Sequence, residues 1–160
     1  MNVLFVCTGN TCRSFMAEAI LNNLLASTSR EDINVSSAGT AAWEGEPASH
    51  SAVEVLREFN IKTGSHRARR LTELMIDSAD VVMCMTRFQK KNIAALFPRF
   101  RDKVFSIYEY AYFGENDEQY AERDVSDPYG MPAEIYRKCL KEIEALLERV
   151  FERISLESGE

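Results

Sequence analysis

The sequence predicts an α/β fold in which a small central parallel sheet of about four strands carries helices on both faces. Three observations support this class. Short apolar runs rich in valine and phenylalanine recur along the chain, as expected for strands that are buried on both sides. Stretches with apolar residues at three- and four-residue spacing separate these runs and have the period of helices. Because strands and helices alternate, parallel strands joined by right-handed crossovers are expected.

The first half of the chain contains two predicted strands and two predicted helices. Residues 2–7 form the first apolar run, and a helix is predicted from Ser14 onward. The segment 33–39, INVSSAG, is strand-like and closed by Gly39, and residues 48–59 are predicted to be helical. The apolar face of the first helix is expected to bury Ala17, Ile20, Leu21, Leu24 and Leu25.

The second half begins with a short helix predicted after Thr72, for which Thr72 is the cap and Leu71 the apolar staple. Residues 80–85 and 103–107 are the two remaining predicted strands. The helix between them is expected to be capped by Thr86 and ended by a proline.

The C-terminal part of the chain divides into an irregular segment and a long helix. Residues 108–128 show no clear period and are rich in acidic residues and tyrosine, so a functional loop or lid is expected there. The last helix is predicted from Pro132 to about Ile154, and the tail SLESGE is expected to fray. Its buried stripe is predicted to contain Ile135, Cys139, Ile143, Leu146, Val150 and Ile154.

Composition limits the classes of protein that this chain can be. With 160 residues, 46% of them apolar and 28% charged, residues 1–160 are expected to form a single domain. A net charge of −6 argues against general binding to nucleic acid or to an anionic membrane. No signal peptide or membrane-spanning stretch is evident and the four cysteines are widely spaced, so we expect a cytoplasmic protein with reduced thiols. A monomer is expected.

The loop after the first strand has the features of an anion-binding site. In "VLFVCTGNTCRSFM", the residues from Thr8 to Arg13 lie between a strand and a helix start, where successive backbone amides can point inward at the positive end of the helix dipole. Gly9 is expected to permit the backbone angles of this turn, and Asn10 tolerates the left-handed conformation. Arg13 adds a planar fork suited to phosphate.

Cys7 stands at the start of this loop. The helix dipole, the amides and Arg13 all favour the thiolate form of a cysteine in that position. Ser14 is placed to donate a hydrogen bond to the sulfur and to stabilise it as a leaving group. The loop is therefore predicted to hold a tetrahedral oxyanion over a nucleophilic sulfur.

Cysteine, five residues, arginine and serine form the signature of cysteine-dependent phosphatases. With this loop at the N-terminus, the sequence resembles the low-molecular-weight protein tyrosine phosphatase family along essentially its full length. The resemblance is carried by four segments, "VCTGNTCRS" at the start, "SSAGT" at 36–40, "SHRARRL" at 65–71 and "DPYG" at 127–130.

The resemblance implies a catalytic role for three residues. Cys7 would attack phosphorus and form a cysteinyl-phosphate, Arg13 would bind the equatorial oxygens, and Asp127 would protonate the leaving group and later activate water. No metal and no cofactor are implied, and the partner would be a phosphorylated protein substrate.

The resemblance also implies supporting roles around the loop, whose members include Thr8, Gly9, Thr11 and Cys12. Asn10 would hold the loop in shape with Ser37 and His66 as its hydrogen-bonding supports. Cys12 resembles a second cysteine that forms a reversible disulfide with the nucleophile. Trp43 and Tyr129 would wall the substrate cleft.

Ordinary structural explanations remain open for several of these residues. An Asp-Pro pair is a common turn, so Asp127 has such an explanation. His66 lies in a basic stretch typical of a solvated surface, Cys12 is also explained as an inert thiol, and Trp43 as a core anchor. The sequence places Cys84 in an apolar strand and Cys139 on a helix, where both are expected to pack in the core.

Two departures from the family pattern concern the substrate. Thr11 stands where these tyrosine phosphatases usually have a bulky aliphatic residue, and Phe15 stands where they usually have proline. Thr11 makes the loop wall small and polar, as in the bacterial protein arginine phosphatase branch, with which Thr86 also agrees. Phe15 fits neither pattern. Phosphoarginine is therefore the favoured substrate, and phosphotyrosine is the main alternative.

Other classes of protein are less consistent with the sequence. Thioredoxin-coupled arsenate reductases have a similar first loop but need a further pair of closely spaced cysteines, whereas Cys84 and Cys139 are far apart. A non-catalytic phosphate-binding module would retain the loop without the nucleophile or the acid, and both are present. A P-loop nucleotide hydrolase and a dinucleotide-binding domain are disfavoured because their glycine motifs are missing.

Overall fold

The fold is centred on a four-stranded sheet with the order β2-β1-β3-β4 in which every pair is parallel. The computed structural model describes residues 1–115 and 118–159. The strands are β1 (Asn2–Cys7), β2 (Asn34–Gly39), β3 (Val81–Cys84) and β4 (Val104–Ser106). Each lies within the range predicted for it, and the predicted α/β class is confirmed.

Seven α-helices and one 3-10 helix are present in the described residues, and the five predicted helices α1, α2, α3, α4 and α7 are among them. The predicted caps are also found, since Thr72 accepts a hydrogen bond from the amide of Met75 and Thr86 forms a capping box with Gln89. The helices are α1 (Arg13–Ser27), α2 (His50–Glu58), α3 (Glu73–Ser78), α4 (Arg87–Leu96), α5 (Ile107–Ala111), α6 (Glu118–Ala121) and α7 (Ala133–Glu157), with the 3-10 helix at Pro98–Lys103.

The two faces of the sheet are covered by two separate apolar cores. Alternate residues of β1 point to opposite faces, so Val3 and Phe5 pack with α1, α2, α5 and α7, while Leu4 and Val6 pack with α3 and α4. Cys139 lies in the first core and Cys84 in the second, as predicted.

The expectation of a period-free loop over 108–128 is wrong in two places. Helix α5 covers Ile107–Ala111 and α6 covers Glu118–Ala121, while residues 116 and 117 lie outside the described residues. Helix α5 spans a single turn, too short to show a period, but the Ser106–Glu109 capping box marks its start. The acidic Glu109 also pairs with Lys90 at 2.6 Å, so this part of the predicted lid is held against α4.

The expectation of a frayed C-terminus is also wrong for most of the tail. Helix α7 continues to Glu157, whose carboxylate accepts a hydrogen bond of 2.7 Å from the Tyr110 hydroxyl. Ser158 is held in turn by Arg30 at 2.5 Å. These partners lie far away along the sequence, so no local signal indicated them.

The position of the site follows from the strand order. The chain passes from β1 to one neighbour, β2, and then to β3 on the other side of β1, so the crossovers change direction at β1. Ligands of open α/β sheets bind beyond the carboxyl ends of the strands at such a point. The loop that follows Cys7 lies there. Within the described part of the chain, no helix is long and apolar enough to cross a membrane.

Candidate active site

The loop from Cys7 to Arg13 turns by means of one left-handed residue, Asn10, whose φ is 58°. Among the described residues, the backbone amides of Thr8, Gly9, Thr11 and Cys12 have no protein acceptor, so they are available to an anion. Helix α1 begins directly after this loop, at Arg13, and adds the positive end of its dipole. The arrangement is that of an anion-binding loop.

The sulfur of Cys7 lies at the base of this loop and is in contact with two hydrogen-bonding groups. The Oγ of Ser14 is 2.9 Å from Sγ, and the amide of Asn10 donates to Sγ at 3.2 Å. Both contacts stabilise a negative charge on sulfur. The side chain is almost fully buried, and the cleft is its route to solvent.

Asn10 connects the loop to three other segments through its fully buried side chain and its carbonyl group. Its Nδ2 donates to the hydroxyls of Ser14 and Ser37, both at 2.9 Å. Its Oδ1 accepts from the amide of Arg69 at 2.9 Å, and its carbonyl oxygen lies 2.6 Å from Nε2 of His66. Ser37 and His66 therefore contact Asn10 at the places where the sequence predicted its supports.

Two further side chains complete this support. The hydroxyl of Ser37 donates to the carboxylate of Glu18, which sequence reasoning missed because nothing in the sequence pairs α1 with β2 at this point. The ring of His66 packs on Phe15 with centroids 4.5 Å apart. His66 is thus half-buried between the loop and α1 and does not lie on a free surface. Phe15, the residue that fits neither family pattern, therefore packs against the ring of His66.

The glycine that the loop requires is Gly39 and not Gly9. Gly9 does not have a positive φ, and a Cβ there would meet only the Thr11 hydroxyl at 3.7 Å, so the expected need for its backbone freedom is wrong. The left-handed residue is Asn10. A Cβ on Gly39 would lie 2.5 Å from the carbonyl oxygen of Thr8 and 3.0 Å from the amide nitrogen of Asn10. The end of β2 therefore lies so close to the loop that no side chain fits at position 39.

Arg13 and Asp127 are brought together from opposite ends of the chain. Arg13 is buried, and its Nη1 donates to the carbonyl oxygen of Val125 at 2.9 Å. Its Nη2 lies 3.5 Å from the carboxylate of Asp127, which is largely exposed to the cleft. The other oxygen of Asp127 accepts from the amide of Tyr129 at 3.1 Å, so the residue both forms a turn and faces the site.

A cleft of about 300 Å³ connects these groups to solvent. Trp43 is 81% exposed and Tyr129 is 69% exposed on its walls, so Trp43 is not the core anchor that the sequence left open. Glu46 also lines the cleft and was missed, because no motif surrounds it. The lining comprises Cys7, Thr8, Gly9, Asn10, Thr11, Cys12, Arg13, Ala41, Trp43, Glu46, Asp127 and Tyr129.

Cys12 is a buried thiol at the far end of the loop. Burial raises its pKa, although the nearby hydroxyl of Tyr136, 3.5 Å from Sγ, acts in the opposite direction. Burial and the contact with Cys12 raise the pKa of Tyr136 to about 12. The thiols of Cys7 and Cys12 are both unbridged, so a disulfide between them stays a prediction. Tyr136 was not predicted, since α7 reaches the loop only in the folded chain.

No group of three or more His, Cys, Asp and Glu side chains that could hold a metal ion occurs among residues 1–115 and 118–159. The positive charge at the site is provided by Arg13, by the amides and by the start of α1.

The fold and this site define a phosphatase of the low-molecular-weight type. The family model described as low molecular weight phosphotyrosine protein phosphatase matches residues 2–159, and the chain belongs to that family. It is therefore a hydrolase that removes phosphoryl groups from proteins.

Individual relatives differ in the substrate that their names give. The chain is 40% identical over 154 residues to a protein-arginine-phosphatase of Bacillus subtilis (strain 168), covering 96% of this chain and 97% of that protein. It is 39% identical to a protein-arginine-phosphatase of Geobacillus stearothermophilus, covering 97% of each chain. A solved low molecular weight protein tyrosine phosphatase from T. tengcongensis superimposes with a TM-score of 0.86 at 43% identity, covering 96% of this chain and 99% of that chain.

Proposed function

We propose that this phosphatase hydrolyses phosphoarginine in proteins through a cysteinyl-phosphate intermediate. The observation that carries the proposal is Thr11, a small polar residue that is 7% exposed and lines the cleft above the nucleophile. The relatives named as arginine phosphatases support the same substrate. Cytoplasmic location and a monomeric state stay predictions.

The first step transfers the phosphoryl group to sulfur. The amides of the loop and the Arg13 guanidinium bind the phosphoryl oxygens, and the thiolate of Cys7 attacks phosphorus from below. The bond between phosphorus and the guanidino nitrogen breaks, and its electron pair goes to nitrogen. Asp127 in its acid form delivers a proton to that nitrogen, so the unmodified arginine side chain of the substrate protein leaves.

The second step hydrolyses the phosphocysteine. Asp127, now a carboxylate, accepts a proton from a water molecule that attacks phosphorus, and the sulfur–phosphorus bond breaks. The departing sulfur receives hydrogen bonds from the Ser14 hydroxyl and the Asn10 amide, which lie 2.9 and 3.2 Å from it. Inorganic phosphate is released. In both steps Arg13 and the loop amides stabilise the negative charge of the phosphoryl group.

The polar wall suits a guanidinium group. Thr11 keeps its hydroxyl beside the loop, 3.8 Å from the sulfur of Cys12, and leaves space where an aliphatic side chain would stand. The carboxylates of Asp127 and Glu46 line the same cleft and favour a cationic leaving group. Phosphotyrosine remains the second candidate, because the exposed rings of Trp43 and Tyr129 offer aromatic walls to a phenyl group.

Substitution of Thr11 tests the choice between these substrates. Thr11→Ile is expected to lower kcat/KM for a phosphoarginine peptide by about tenfold or more, since about 1.4 kcal/mol of lost binding corresponds to tenfold. The value for the matching phosphotyrosine peptide is expected to change less. Thr11→Ser retains the hydroxyl and the small volume and serves as the matched control, and Cys7→Ser defines the background. Equal losses on both peptides would remove the case for phosphoarginine and leave the phosphatase assignment intact.

Substitution of the proposed acid tests the mechanism. Asp127→Ala is expected to lower kcat on a phosphoarginine peptide by roughly 10²–10⁴-fold, the usual range for loss of general acid catalysis. The loss on p-nitrophenyl phosphate should be smaller, because its leaving group needs no proton. A uniform loss on both substrates would show that Asp127 does not act as the acid.

A further inference from the structure

A second, more apolar groove of about 670 Å³ begins at the rim of the catalytic cleft. Thr8 and Ala41 line both cavities, so the groove is continuous with the phosphate-binding loop. It runs between α4 and the segments that follow β2 and precede α3. Its lining includes one basic residue and four large apolar residues, which are Arg70, Leu71, Phe88, Leu96 and Phe97.

Helix α4 supplies one wall of this groove as a distinct stripe. Gln89 and Ile93 are the buried residues of the helix and attach it to the sheet. Phe88, Asn92, Ala95 and Leu96 recur at helical spacing on an adjoining stripe that lines the groove. Phe88 and Leu96 are each 72% exposed, so two large apolar side chains of one groove face solvent.

The groove is fixed in position relative to the nucleophile. Gln89 donates through Nε2 to the hydroxyl of Thr8 at 3.1 Å while its Oε1 accepts from the amide of Thr86 at 3.0 Å. On the opposite side, the amide of Ala41 donates to the carbonyl oxygen of Thr8 at 2.9 Å. A chain seated in the groove is therefore held at a defined distance from the phosphoryl group.

The charge of the groove differs from that of the whole protein. The chain has a net charge of −6, yet the lining contains Arg70 and no acidic residue. Within the described residues, the guanidinium of Arg70 has no ion pair, and only its backbone amide is engaged, with Glu44 at 2.6 Å. The groove thus combines apolar contacts with one available cation.

We propose that this groove binds the segment of the phosphorylated protein that adjoins the modified residue, and that it selects a large apolar side chain beside Phe88 and Leu96 and an acidic one beside Arg70. A substrate whose phosphoryl group occupies the loop must leave the cleft across its rim, and Thr8 and Ala41 form the part of the rim that opens into the groove. The proposal rests on the catalytic role of Cys7 within the proposed function and is independent of the choice between arginine and tyrosine.

The test compares a groove variant with a matched surface variant. Phe88→Ser combined with Leu96→Ser is set against Leu74→Ser combined with Leu156→Ser, whose leucines are 73% and 76% exposed and lie outside the groove. Substrates are phosphopeptides with one phenylalanine at successive positions beside the modified residue, the same peptides with alanine there, and p-nitrophenyl phosphate.

For the wild type, kcat/KM is expected to be higher with phenylalanine than with alanine at one or more of these positions. The groove variant should lose about tenfold or more in kcat/KM on those peptides, because burial of one large apolar side chain contributes about 1.5–3 kcal/mol. Its activity on p-nitrophenyl phosphate and on alanine peptides should stay within about twofold of the wild type. The matched variant should behave as the wild type on every substrate.

Three results would overturn the proposal. The first is an absence of preference for apolar neighbours in the wild type, and the second is an equal loss on p-nitrophenyl phosphate in the groove variant. The third is self-association of the wild type that the groove variant abolishes in sedimentation analysis, which would assign the groove to a second copy of the chain. Each peptide is made with phosphoarginine and with phosphotyrosine, so a failed arginine assignment leaves the groove comparison readable on the tyrosine series.

Discussion

Glu46 lines the catalytic cleft, and only its backbone is held in place by contacts with the described residues. Its backbone is held on both sides, since its amide donates to the carbonyl oxygen of Trp43 at 3.1 Å and its carbonyl oxygen accepts from the amide of Ala68 at 2.8 Å. Its carboxylate makes no hydrogen bond or ion pair with the described residues. A fixed backbone with an available negative charge at the mouth of the cleft suits recognition of a cation.

Removal of this charge gives a prediction at the residue scale. Glu46→Gln is expected to lower kcat/KM for phosphoarginine peptides by about two- to fivefold, since an exposed charge contributes up to about 1 kcal/mol. Phosphotyrosine peptides, which have no guanidinium, should be hydrolysed at least as well as by the wild type. Glu44→Gln is the matched control because Glu44 is exposed but lies outside the cleft. The effect should weaken as salt is added, and an equal change on both peptides would contradict it.

Site residues that lie within one short segment could be predicted from the sequence, whereas those that depend on contacts between distant segments could not. Cys7, Asn10, Arg13 and Ser14 belong to one short motif, whose chemistry the sequence predicts. Glu46 could not be predicted, because its place in the cleft depends on how the segment after β2 pairs with residues around Ala68. Glu18 and Tyr136 were missed for the same reason, since Glu18 on α1 contacts Ser37, a support of the loop, and Tyr136 on α7 contacts Cys12 only in the folded chain.

At the scale of elements, the catalytic loop depends on how closely β2 approaches β1. Cys7 is the register partner of Gly39 at the carboxyl edge of the sheet. From that point the amide of Thr40 donates to the carbonyl oxygen of Cys7, and the amide of Ala41 donates to that of Thr8, both at 2.9 Å. The loop is thus positioned by backbone contacts from the neighbouring strand, and the strand end must lack a side chain.

Gly39→Ala is therefore expected to displace the loop. Its Cβ would lie 2.5 Å from the carbonyl oxygen of Thr8, a backbone atom that cannot move without the loop. A displacement of about 1 Å at a catalytic group costs on the order of 10²-fold in rate, so kcat should fall by that factor. Gly64→Ala is the control, because a Cβ at Gly64 meets nothing within 4 Å and its φ is not positive. An unchanged kcat of Gly39→Ala on p-nitrophenyl phosphate would show that the loop accommodates the added methyl group.

Elements were predictable where they carry a period or a capping motif of sufficient length. The apolar runs and the strand-like segment 33–39 identified all four strands, and Thr72 and Thr86 marked the starts of α3 and α4. Helix α5 escaped prediction because one turn shows no period, and the end of α7 escaped because its stability comes from Tyr110 and Arg30. Their missing signal is tertiary contact, which overrides local preference.

At the scale of the whole molecule, the site and the main core are built from overlapping elements. Helix α7 buries one long stripe against α1, α2 and α5, while its N-terminal turns bring Tyr136 to Cys12. Five of the six residues predicted for this stripe are buried, but Ile135 is only partly buried, and Leu140 and Leu147, which were not predicted, are fully buried. A helix enclosed by three neighbours buries more of its circumference than a surface helix does.

Because only the N-terminal turns of α7 contact the site, a substitution further along this helix should lower the free energy of unfolding without lowering activity. Leu147→Ala removes a fully buried side chain beyond the turns that contact the site, and is expected to lower the free energy of unfolding by about 2–5 kcal/mol. The matched change Leu156→Ala removes a side chain that is 76% exposed on the same helix and should cost less than about 0.5 kcal/mol. Urea unfolding measures both. In the absence of denaturant, kcat/KM of the Leu147 variant on p-nitrophenyl phosphate should remain within about twofold of the wild type, provided that the folded fraction stays near one. A large loss of activity in fully folded Leu147→Ala protein would show that the core transmits its packing to the loop, and that the phosphate-binding residues are not positioned by β1, β2 and the start of α1 alone.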